Sequence, residues 1–203
     1  RKIQTFASRI NSREESNLSD YGKDLFHRMQ EAAKRMQTLI HDLLAYSRTN
    51  SAEGKFEHMD LNTLITEVKN DLEEELREKQ ANIETGKLCS ADIIPFQFRQ
   101  LILNLISNSL KFSRHDEPPF IKISAETATG AKLNMEQLVP HLSYCHITVT
   151  DNGIGFEQEY SEKIFEVFQR LHGKNEYKGT GIGLSIVKKI VENHRGIIRA
   201  TGE

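Results

Sequence analysis

Neither sign of charge is in excess in this sequence: 27 Lys and Arg stand against 29 Asp and Glu, a formal net charge of −2 over 203 residues. A global basic footprint for nucleic acid or anionic lipid is therefore missing, and any phosphate chemistry has to be local. Cysteine is scarce. Cys89 and Cys145 are the only two, and they form neither a disulfide framework nor a zinc spacing. They read as small buried hydrophobes in a reducing compartment. Long apolar runs are absent as well. The densest stretch, "LILNLIS" (101–107), is interrupted at Asn104, far short of the roughly 20 residues that cross a bilayer. There are no internal repeats and no low-complexity tracts. The remainder is a chain with 37% hydrophobic residues, enough for one domain plus an extra element, or two modest domains. It begins at Arg1 without methionine, so the expectation is a piece of a longer protein whose flanks could carry membrane or sensor segments.

The periodicity divides the chain into two parts. From Leu18 to about Arg48, apolar residues recur at helical spacing through Leu25, Met29, Met36, Ile40 and Leu43, which predicts one long amphipathic helix. "RKIQTFASRI" before it reads as the end of a preceding helix and "NSREESN" as the hairpin loop between them. A helical hairpin cannot cover both faces alone, so a dimeric four-helix bundle over residues 1–52 is the economical expectation. Residues 53–203 change to a mixed pattern. A strand at His58 to Leu61 leads to a helix from Asn62 to Lys79 capped by Asn62. Strands at Asn82 to Thr85 and Leu88 to Ala91 precede a second helix opened by Pro95. "FIKISAET" and "SYCHITVTD" alternate as strands. "EYSEKIFEVF" is expected as a short helix, "GLSIVKKIVENH" as a longer one, and "IIRATGE" as a last strand.

Glycine is sparing but concentrated: five of 12 fall in "DNGIGF" (151–156) and "GTGIGLSIV" (179–187). Such segments let backbone come close to something flat or highly charged. Asp151 ends a strand, where α/β sheets often bind ligands, and a carboxylate there can accept from the exocyclic amine of adenine. Gly153 and Gly155 would turn the backbone beneath the ring. "NG" is also a hairpin signal, but the next segment reads as helical rather than as a returning strand. The glycines of the second stretch open a helix, where freed N–H groups and the helix dipole form an anion site. This is neither the Walker nor the dinucleotide spacing. Upstream, Asn104, Asn108 and Lys111 lie at i, i+4 and i+7 on one helical face. Leu101, Leu105 and Phe112 flank it, with Leu103, Ile106 and Leu110 on the core side. Amide oxygens suit Mg²⁺ or its waters, and a lysine suits phosphate. Amides at a solvated helix edge are the plainer reading of that segment alone. "QRLHGKNEYK", with Arg170, His172 and Lys174, has the composition of a mobile lid over an anionic ligand.

In sequence order, Asn104-x-x-x-Asn108-x-x-Lys111-Phe112, Asp151-x-Gly153-x-Gly155, Phe165-x-x-Phe168 and Gly179-Thr180-Gly181-x-Gly183-Leu184 closely resemble the N box, first glycine box, F box and second glycine box of sensor histidine kinases. "FQRLHGKNEYKGTGIGLSIVKKIVENHRG" is most similar to the phytochrome-like group, and "RMQTLIHDLLAYSR" resembles the second helix of the dimerisation and phosphotransfer hairpin. The resemblance implies an α+β chain: a helical hairpin followed by a GHKL (Bergerat-type) α/β sandwich that binds ATP between a helical layer and a lid.

By that resemblance Asp151 binds the adenine amino group, Asn108 holds Mg²⁺, and Asn104 and Lys111 reach metal and phosphates. Gly179, Gly181 and Gly183 hinge the lid, with Thr180 and Leu184 in the same box. Phe165 and Phe168 pack the lid, and Arg170, His172 and Lys174 are candidates for the γ-phosphate. The family phosphorylates a histidine in H-[DE]-x-x-x-P, then passes the group to a response regulator. That motif is absent here: His41-Asp42 lies in the second helix without the proline, and His27 has no supporting context. The acceptor is expected a few residues before Arg1, so this fragment is expected to bind ATP without phosphorylating itself. The implied setting is a cytoplasmic homodimer. A non-catalytic nucleotide-binding scaffold of the same fold is the alternative. A water-using ATPase is disfavoured, because position 104 is Asn rather than a glutamate base.

Overall fold

The computed structural model describes residues 5–7, 9–10, 18–50, 54–171 and 179–202. Residues 5–7 and 9–10 are helical; the expected hairpin loop over 11–17 lies outside the described residues. Helix α1 runs Asp20–Asn50. After it come β1 Glu57–Asp60, α2 Leu61–Asp71, α3 Glu73–Glu78, β2 Asn82–Thr85, β3 Ser90–Ile93, α4 Pro95–Lys111, β4 Phe120–Thr129, α5 Gly130–Leu133, β5 Ser143–Asp151 and α6 Gly183–Asn193. β1 pairs antiparallel with β3, and a second sheet has the order β2-β4-β5, parallel then antiparallel.

The core lies between this second sheet and helices α2, α4 and α6. Val68, Ile106, Leu110, Ile121, Ile123, Val187 and Ile190 are wholly buried, each contributing about 1.5–3 kcal/mol relative to exposure. On α4 the buried stripe is Leu101, Ile102, Ile106 and Leu110. Leu101 is therefore core, while Leu103, expected on the core side, is only partly buried. In the β4–β5 ladder, Ile121 opposes Asp151 and Ile123 opposes Val149. Strand parity thus directs Asp151 to the same face as the core residues of its neighbour.

Several local expectations change. The cap of α2 is Asp60, whose carboxylate accepts from the Asn62 N–H at 2.9 Å. This charge-assisted bond holds the Asp60 pKa below its ordinary value. Asn62 instead bridges to the segment before β3, exchanging hydrogen bonds with the carbonyl and N–H of Leu88 at 3.3 Å each. The expected single helix over 62–79 is divided at Leu72, where the buried side chain and cap geometry end α2 and start α3. "EYSEKIFEVF" forms two 3₁₀ turns, Gln158–Tyr160 and Lys163–Phe165, instead of a helix. Residues 197–202 join neither sheet, so the expected last strand is absent among the described residues; Gly202 donates instead to the Gln158 side chain. The cysteines are corrected too. Cys89 and Cys145 form a disulfide with Cα atoms 6.6 Å apart, because β5 brings Cys145 onto the core face beneath the segment before β3.

His194 closes α6 against the start of α4. Its Nε2 accepts from the Ile94 N–H at 2.9 Å and its Nδ1–H donates to the Ile190 carbonyl at 2.7 Å, which sets the neutral tautomer. Phe56 and Phe98 meet the ring edge-on. We expect His194→Ala to lower the unfolding free energy by about 2 kcal/mol, because a backbone N–H at the N-terminus of α4 loses its partner. Urea denaturation checks this; a change under about 0.5 kcal/mol would refute the packing role.

Candidate functional site

Helix α4 forms one wall of the site. Its polar face carries Asn104, Asn108 and Lys111, opposite the buried stripe, as 3.6-residue periodicity requires. The Asn104 side chain is committed: its oxygen accepts from Gln100 at 3.2 Å and its nitrogen donates to the Gly183 carbonyl at 3.3 Å. It therefore ties α4 to the first turn of α6. Asn108 lies beside the same glycine, its amide nitrogen 3.9 Å from where a Gly183 Cβ would stand. Lys111 approaches the backbone of Gly179 and lies 4.3 Å from the centroid of the Phe112 ring. Burial of its ammonium, and then repulsion from Arg170, hold the Lys111 pKa below its ordinary value. An anion placed between these two cations would oppose both effects.

Asp151 forms the other end. Its Oδ1 accepts from the Gly153 N–H at 2.9 Å and its Oδ2 from the hydroxyl of Ser109 at 2.7 Å. Ser109 is buried on α4 and is not among the residues the sequence motifs single out, although its place one residue after Asn108 puts it on the core-facing side of the same turn. The pair of bonds fixes the carboxylate plane and leaves each oxygen a second acceptor direction. A Cβ at Gly153 would lie 2.7 Å from Asp151 Oδ1 and 2.8 Å from the Phe112 carbonyl, so only glycine fits between the strand end and α4. Gly155 has φ 67°. A cavity of about 410 Å³ opens beside this turn, lined by Ile154, Gly155, Phe156, Glu157, Gln158, Tyr160, Leu171 and Gly202.

The second glycine segment joins the two ends. Gly181 has φ +75°, and its carbonyl accepts from the N–H of Phe168 at 2.9 Å. Thr180 donates to Asp42 of α1 at 2.6 Å. Leu184 packs partly buried on the core. Phe165 is buried at 8% exposure, whereas the Phe168 ring is 62% exposed. Phe168 departs from the expected lid packing: a left-handed φ of 67° turns its ring outward, and its backbone makes the link to Gly181. His172 and Lys174 lie outside the described residues, as does the His41 side chain.

The site thus brings an acceptor carboxylate, an open amide, two cations and a glycine-rich helix start to one side of α4. Among the described residues no group of three His, Cys, Asp or Glu could hold a metal. A divalent cation would rest on Asn108 together with ligand oxygens and water, a donor set that suits Mg²⁺. Residues 94–203, which carry these side chains, match the model of the family described as histidine kinase-, DNA gyrase B- and HSP90-like ATPases. The chain belongs to that family.

Its relatives place the kinase catalytic domain more narrowly. The chain is 32% identical over 197 residues to phytochrome-like protein Cph1 of Synechocystis sp., covering 97% of this chain and 24% of the relative. It is 40% identical over 168 residues to cyanobacterial phytochrome A of Nostoc sp., covering 83% and 20%. The chain therefore spans about a quarter or less of these curated relatives. The solved structure of histidine kinase ThkA in complex with response regulator protein TrrA has the same fold, with a TM-score of 0.60 at 24% identity over 98% of this chain and 54% of that one. The protein carries a sensor histidine kinase catalytic domain of the GHKL fold, preceded by helix α1.

Proposed function

We propose that this chain is the ATP-binding core of a two-component sensor histidine kinase. The supporting observation is the convergence of Asp151, Asn108, Lys111 and the Gly179–Gly183 backbone on one side of α4. In this reading Asp151, held by Ser109 and Gly153, accepts from the amino group of adenine. Asn108 would hold Mg²⁺ together with phosphate oxygens, and the chemistry such an ion supplies there is neutralisation of their charge. Lys111 and Arg170 attract the polyphosphate. The N–H groups at the start of α6 receive phosphate oxygens after Gly181 has turned the chain. Asn104, already bonded to Gly183, keeps this helix start against α4. His172 and Lys174 would complete the lid.

Transfer then requires positioning more than covalent participation by the protein. An imidazole nitrogen attacks the γ-phosphorus, an N–P bond forms, the bond to the β-phosphate bridging oxygen breaks, and ADP leaves. We place the accepting histidine upstream of Arg1, and a response regulator receives the phosphoryl group next. The domain boundary falls near residue 52. No helix among the described residues is long and apolar enough to cross a membrane. The exposed stripe Tyr21, Leu25, Met29, Met36, Ile40 and Leu43 on α1 is assigned to homodimer formation.

The test is incubation of this chain, and of one extended upstream of Arg1, with γ-labelled ATP, with and without Mg²⁺. We expect acid-labile, alkali-stable label on the longer chain only, and only with Mg²⁺. ATP binding without label on either chain would favour a non-catalytic nucleotide-binding scaffold.

A further inference from the structure

Helix α1 reaches into the site just described. Its Asp42 carboxylate accepts the Thr180 hydroxyl proton at 2.6 Å, across 138 residues of sequence. Ala45 and Tyr46, one turn further along α1, pack on the core of the catalytic domain. The carboxylate is therefore held by packing as well as by its hydrogen bond. Thr180 comes directly after Gly179, which lies against Lys111, and leads through Gly181 into the first turn of α6. This is where the N-terminal end of the helix dipole and the two cations Lys111 and Arg170 favour negative charge. A carboxylate delivered here engages the same end of the site that a polyphosphate needs. Two anions brought to one helix start repel each other, and more strongly as the ligand charge grows.

We propose that Asp42 is an internal competitor for the phosphate end of the site, so that docking of α1 and binding of a nucleoside polyphosphate oppose one another. The inference rests on the nucleotide reading above. It makes Asp42 a positioning residue that acts through Thr180 and selects by ligand charge. Thermodynamic linkage then runs both ways: a movement of α1 changes nucleotide affinity, and bound nucleotide loosens α1. This is a route by which a change in the helical segment reaches the catalytic domain without contact to the adenine end.

The experiment is calorimetric titration of adenosine, Mg²⁺-ADP and Mg²⁺-ATP into the 203-residue chain and its Asp42→Asn and Asp42→Ala variants. Asparagine keeps an acceptor for Thr180 but removes the charge. We expect unchanged adenosine affinity, a gain of about threefold for ADP and about tenfold for ATP in both variants, within the usual range of coupling energies. The gains should shrink at high salt. In the unmutated chain ATP, but not adenosine, should speed amide hydrogen exchange from Leu39 to Tyr46. An equal gain for adenosine, no gain, weaker ATP binding, or a gain confined to Asp42→Ala would each overturn the proposal. Failure of all three chains to bind any of the ligands would instead overturn the nucleotide reading on which it rests.

Discussion

Replacing Asp151 by Asn is expected to weaken ATP binding at least about 100-fold while leaving the fold intact. Both carboxylate oxygens already accept, Oδ1 from the Gly153 N–H and Oδ2 from Ser109. An amide in the same place must turn its NH₂ toward one of them. Turned toward Gly153, it opposes a backbone donor that cannot rotate. Turned toward Ser109, it is tolerated, because that hydroxyl can send its proton to the Leu105 carbonyl at 3.2 Å and accept instead. The second orientation wins in the free protein, so stability changes little. It nevertheless places a donor where, in the proposed reading, the adenine amino group would also donate. The loss of a charge-assisted bond, about 1.5–3 kcal/mol, adds to that conflict. Calorimetric affinity for ATP and the thermal midpoint together check the result. Unaltered affinity would remove Asp151 from purine recognition.

Gly181→Val should be the most damaging single change to the glycine segment, lowering stability by about 3 kcal/mol and nucleotide affinity with it. At φ +75° a β-branched residue is strained by about 1–2 kcal/mol before any contact is considered. The added Cβ would also stand 2.8 Å from both the Gln169 carbonyl oxygen and the Phe168 carbonyl carbon. These are backbone atoms, which cannot rotate away, so the segment must shift at a further cost of order 1–3 kcal/mol. The shift breaks the Phe168-to-Gly181 bond and moves Thr180 and the start of α6 away from α4. Thermal unfolding and ATP titration should fall together; full retention of both would show that the positive φ is not required.

The local features encoded by neighbouring residues were legible without the fold. The 3.6-residue spacing of Asn104, Asn108 and Lys111 placed them on one face of α4, and alternation in "SYCHITVTD" placed Asp151 at the end of β5. The order of the glycine and asparagine segments identified the family, because each requires particular residues at short, fixed separations. Local competition between neighbours was less legible. Asp60 takes the cap expected of Asn62, and the chain breaks at Leu72, because small differences in side-chain reach and burial decide such boundaries.

Contacts made across the chain were hidden altogether. Asn62 finds Leu88, His194 finds Ile94, Cys145 finds Cys89, and Ser109 finds Asp151 only after the helices pack on the sheet. The same packing brings Asp42 to Thr180 from 138 residues away. The sequence by itself determined which side chains share a helix face or a strand end, since helical and strand periodicity repeat within a few residues. The tertiary structure alone decided which of those faces meet, because that choice arises from filling one common core rather than from the spacing within any segment.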